Sequence, residues 1–85
     1  MDYAIYKERD GKNPHVVHRF TQEACNHKAK LAAREKLSEM WMRVLQRPYL
    51  CHNPKMEPGK IYGFSYDYMT SVNTSESIRF YIAKL

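Results

Sequence analysis

The chain contains no apolar run of membrane-spanning length and no charged start followed by an apolar block of the secretory type, so a cytosolic protein without a membrane segment is expected. It holds only three glycines, and none sits in a phosphate-cradling loop. GxSxG elbows, HExxH clips and paired-carboxylate arrangements are also missing, which argues against an enzyme. Two cysteines and four histidines are present, but not at metal-ligand spacing. His15 and His18 stand three apart on extended chain and point to opposite faces. Cys25 and His27 diverge by about 200° on a helix. Cys51 and His52 are neighbours in what reads as a loop. Neither a metal, nor a cofactor, nor a Cys25 to Cys51 disulfide is expected on these grounds.

What the chain does hold is one long helix-forming run. Residues 21–47 contain neither Gly nor Pro and are dominated by Ala, Leu, Lys, Glu, Arg and Met. Thr21 offers an N-cap, and Pro48 forbids continuation past Arg47. On a helical wheel Cys25, Ala29, Ala32, Ala33, Leu37, Met40 and Val44 form an apolar stripe with Trp41 at its edge. Leu31 and Met42 fall on the far side as surface hydrophobes. Lys36, Arg43 and Arg47 gather on one flank.

Before the helix, Asp10-Gly11 is a two-residue hairpin signal joining strands near 3–7 and 15–20, in a register that sets Ile5 opposite Val16 and Tyr6 opposite His15. After it, residues 48–60 hold three of the four prolines and read as a loop. Residues 60–85 read as a second hairpin turning within SVNTS, with Tyr62, Phe64, Tyr66, Ile78, Phe80 and Ile82 as cover for the helical stripe. With 85 residues there is room for one domain and one modest core, over the whole of 1–85. The expected fold is an α+β two-layer sandwich, ββαββ, in which a four-stranded antiparallel sheet of two hairpins carries one helix.

Within the second hairpin, KIYGFSYD partly resembles the first signature of the RNA recognition motif, matching at Lys60, Tyr62, Gly63 and Phe64 and departing at Ile61, Ser65 and Asp67. That resemblance implies bases stacked on an open sheet face; the hairpin's own pattern implies that the same aromatics are core. In size and in its hairpin, helix, hairpin layout the chain is similar to small phage-encoded inhibitors of host defence, the anti-CRISPR proteins among them. The resemblance implies a non-enzymatic inhibitor that occupies a host protein or nucleoprotein effector. Its basic balance, a net charge of +5, departs from the acidic nucleic-acid mimics of that group.

Two functions follow as expectations. In the first, the chain binds a protein or nucleoprotein partner through the open sheet face, with Tyr6, His15, Arg19, Arg79 and Tyr81 as contact residues. In the second, it is a small nucleic-acid-binding module that uses that face or the basic edge of Lys36, Arg43 and Arg47.

Overall fold

The computed structural model describes residues 2–21, 26–57 and 62–85. Two strands, β1 (Asp2–Arg9) and β2 (Lys12–Thr21), precede the one helix among the described residues, α1 (Asn26–Leu45). Three more follow, β3 (Cys51–Glu57), β4 (Gly63–Ser71) and β5 (Thr74–Lys84). All five strands form one antiparallel sheet in the order β2-β1-β5-β4-β3. The expected four-stranded ββαββ sandwich is therefore corrected to a mostly-β, five-stranded sheet with one helix on one face. The extra strand is β3, in the proline-rich stretch read as a loop. Proline forfeits a ladder donor but is tolerated at an edge strand or a bulge, and Pro54 sits at both.

Both sheet edges carry the same device. On β3 the register shifts between His52 and Lys55, and Asn53 there adopts a φ of 52°. On β2, Asn13 adopts a φ of 51° ahead of Pro14, where the pairing slips between Lys7 and Arg9. Asn tolerates positive φ better than most residues, and these two bulges each place an Asn in that region. Asn53 also donates from Nδ2 to Asp67 Oδ2 across the strand pair (3.0 Å).

The Asp10-Gly11 turn has positive φ at both residues, as a type I′ turn requires. The register beyond it differs from the one expected. The slip at Asn13 leaves Lys7 opposite His15 and Tyr6 opposite Val16, and a second irregularity between Ile5 and Tyr6 leaves Ile5 opposite His18. Each bulge adds one residue to β2, so parity flips between them and returns past the second.

The helix begins within the described residues at Asn26, and Thr21 is not its N-cap: it ends β2, paired with Asp2. Cys25 lies outside the described residues. Ala29, Ala33, Leu37 and Val44 are buried, with Met40 and Trp41 packed beside them, while Leu31 and Met42 are exposed. The helix stops two residues before Arg47, and the Arg47 carbonyl accepts from the Leu50 and Cys51 amides, turning the chain into β3. Beneath it Ile5 and Phe64 are fully buried, and the Trp41 ring stands 5.3 Å from Phe64. Phe64 is thus core, and the base-stacking role implied for it by the RNA recognition signature is corrected.

The topology fixes where the helix must run. β2 and β3 are parallel at opposite edges, about 19 Å apart at ordinary strand spacing. The connection must cross the whole sheet and also travel back along it. Twenty residues of helix, about 30 Å, do both.

Candidate functional site

Two surfaces of the sheet collect chemically distinctive side chains. The first is the face opposite the helix. Tyr6 and Tyr81 are cross-strand partners there, and their rings stack with centroids 5.4 Å apart at 13°. Arg79, two residues before Tyr81 on the same face, lays its guanidinium 4.4 Å from the Tyr81 ring centre. Its Nε donates to Glu57 Oε2 at 2.8 Å, and its Nη1 lies 3.5 Å from Glu8 Oε2. The hydrogen bond to Glu57 pushes the Arg79 pKa up, with Glu8 adding to it, so the cation is held charged. The Tyr81 hydroxyl is also raised, by burial first and then by the neighbouring Glu8 carboxylate.

Of the five residues expected on this face, Tyr6, Arg79 and Tyr81 are brought together in that assembly. Arg19 shares the face beside Ala4 but lies out on edge strand β2. His15 does not belong: the bulges turn it to the helix side, opposite Lys7, and place Val16 next to Tyr6 instead. Glu8 and Glu57, which hold Arg79, had no sequence signal beyond their alternation, and Glu57 came from a strand read as loop.

The second surface is the helix side of the sheet beyond the helix C-terminus. Phe64, Tyr66 and Tyr68 follow one another along β4 with rising exposure, because the helix covers only the first of them fully. A hollow of about 210 Å³ lies under the end of the helix, with Arg43, Arg47, Cys51, Tyr66 and Tyr68 in its wall. A second, of about 230 Å³, lies on the other side of the same two tyrosines, lined by Lys7, Arg9, Glu76 and Ile78. Burial pushes the Tyr66 hydroxyl pKa up to about 12, helped by Cys51 and Tyr68; Arg47 and Arg9 act in the opposite sense from the two hollows. Burial likewise raises the Cys51 thiol, against the pull of Arg47.

Of the basic flank expected on the helix, Arg43 and Arg47 reach this surface. Lys36 lies up the helix in an ion pair with Glu39 (3.6 Å). Lys7 and Arg9 escaped sequence reading because they are brought beside Tyr66 and Tyr68 only by the pairing of the first strand with the last. Among the described residues no group of three or more His, Cys, Asp or Glu side chains could hold a metal ion, and no helix is long and apolar enough to cross a membrane.

Comparison with family models, with curated proteins and with solved structures gives no match to this chain.

Proposed function

We propose that this protein is a binding protein without turnover, which acts by occupying a partner protein's surface with the sheet face opposite the helix. The observation that carries this is the stacked Tyr6–Tyr81 pair abutting Arg79, itself fixed by carboxylates from two other strands. Tyr and Arg dominate the energetics of protein interfaces. Side chains already held in place lose little further rotamer freedom on binding, at a saving of about 0.5–1.5 kcal/mol for each. The face carries no excess of positive charge, with Asp2, Glu8, Glu57 and Asp67 against Arg19, Lys55 and Arg79. It offers no electrostatic footprint for a polyanion, which favours a protein surface over bare nucleic acid.

The narrower reading, inhibition of a host defence protein or nucleoprotein effector, draws support from small size and the lack of a catalytic motif. Its layout component does not apply to a five-stranded sheet. The test is a paired one. Tyr6→Ala with Tyr81→Ala removes the aromatic platform while leaving the opposite face intact. The double variant is expected to keep its circular dichroism and to lose a stoichiometric partner that the wild type retains at physiological salt, and with it any protection of phage in a defence-competent host. A folded double variant that still holds the partner removes this face as the site.

A further inference from the structure

We infer that the exposed end of the sheet on the helix side is a binding site for single-stranded nucleic acid, in which a base stacks on Tyr68 while Arg47 and Arg9 take phosphates on either side. This site is separate from the protein-binding face proposed above and does not depend on it.

Three observations carry the inference. The first is the charge of the lining. Among the described residues around the two hollows, Lys7, Arg9, Arg43 and Arg47 face a single carboxylate, Glu76, which is already 3.8 Å from Arg9. A helix C-terminus carries roughly half a negative charge and would repel an anion. Arg43 and Arg47 put two full positive charges at that end.

The second is the tyrosine wall. Tyr66 is packed against Phe64 and Phe80, with ring centres 6.2 and 6.4 Å away, so it is anchored in the core. Tyr68, the next residue on the same face, is 38% exposed and lines both hollows. An aromatic ring flanked by cations is the combination that holds an unpaired strand, since any base offers a π face to the ring and any backbone offers phosphates.

Shape is the third. The two hollows are each below the roughly 300 Å³ of a drug-sized pocket, so they suit a phosphate or a single planar group and not a large cofactor. A duplex keeps its base faces stacked inside, out of reach of a ring in a recess, and the helix lies flat on the sheet and cannot enter a groove. An acidic protein segment would use the cations but leave the tyrosine without a role.

The inference is tested with a fluorescently labelled single-stranded DNA of mixed sequence, about ten nucleotides long, titrated with the full chain between about 50 and 200 mM salt. The wild type is expected to bind, with affinity falling as salt rises. Arg9→Gln with Arg47→Gln should weaken binding at least tenfold and flatten the salt slope by about 1.4, which is about 0.7 for each phosphate that is no longer neutralised. Tyr68→Ala should weaken it about fivefold or more with the slope unchanged, and Tyr68→Phe should restore it. Glu76→Gln should tighten binding by removing the one carboxylate. Arg9, Arg47 and Tyr68 are exposed, and a melting curve for each variant establishes that it is folded. Three outcomes overturn the inference: no wild-type binding at about 50 mM salt; a duplex of equal length binding more tightly than the single strand; or poly-glutamate binding as well as DNA with Tyr68→Ala neutral.

Discussion

Glu57 and Arg79 meet at 2.8 Å although a whole strand separates them, since Glu57 belongs to β3, Arg79 to β5, and β4 runs between. On this face β4 offers only Gly63 and Ser65 at the crossing, opposite Tyr81 and Arg79. The absence of bulk on β4 lets a carboxylate reach across it, and the same absence lets the Tyr81 backbone come close.

Gly63 is therefore expected to tolerate no side chain. A Cβ placed there would stand 2.5 Å from the Phe80 carbonyl oxygen and 2.9 Å from the Tyr81 Cβ, neither of which can swing aside. Gly63→Ala should destabilise the protein by about 1–3 kcal/mol, the usual cost of overpacking. Urea unfolding measures this, and an unchanged midpoint would show that β4 shifts freely.

Phe64→Ala and Val72→Ala should separate core from surface. Phe64 is fully buried against Trp41 and Phe80, so its truncation should cost about 3–5 kcal/mol, much of the stability of a domain this small. Val72, at the β4–β5 turn, is 91% exposed, and its truncation should stay within about 0.5 kcal/mol. Thermal melts of the pair check the contrast; equal shifts would contradict the packing.

Alkaline stability should report on Tyr66. Its ordinary pKa of 10.0 is pushed to about 12 in the folded protein. Between those values the unfolded chain has lost a proton that the folded chain keeps, so stability falls as pH rises through that window and is fully present below it. At 1.36 kcal/mol per unit the ceiling is about 2–3 kcal/mol, and water reaching the half-buried ring screens the contribution to less than that. Tyr66→Phe should flatten that part of the stability profile against pH, and a profile matching the wild type would place the tyrosine in water.

The two Asn-Pro bulges should act against sheet-to-sheet association. Replacing Asn53 by Thr and Pro54 by Val restores a straight edge with its donors free, and concentration-dependent dimers or larger species should then appear in sizing experiments. A variant that stays monomeric at all concentrations would mean that the edge is guarded by something else.

Much of this fold was legible in periodicity. The helical stripe of Ala29, Ala33, Leu37 and Val44 and the alternation of Ile78, Phe80 and Ile82 lie where their spacing puts them. The turn at Asp10-Gly11 was legible in its φ requirement. What misled was proline: Pro54 hid a strand that edge position and a bulge made possible. Asn13 hid the first of two register slips, which is why spacing alone puts His15 on the face opposite the one it occupies. The cationic end of the sheet was illegible for a different reason. Lys7 and Arg9 lie more than fifty residues from Tyr66, and no local pattern announces a pairing over that distance.

The adjacency of β1 and β5 at the middle of the sheet also sets the order in which the molecule can assemble. The β1–β2 and β4–β5 hairpins close through short loops, on the microsecond scale of such events. Joining them requires contacts such as Asp10 with Ser77, sixty-seven positions apart, where the Asp10 amide donates to the Ser77 carbonyl and the Ser77 amide to the Asp10 carboxylate. That closure carries most of the chain-entropy cost before it returns any burial. The meeting of the first strand with the last is then the expected rate-limiting event, so mutations at this central seam should slow folding, while those at the two outer edges should chiefly speed unfolding.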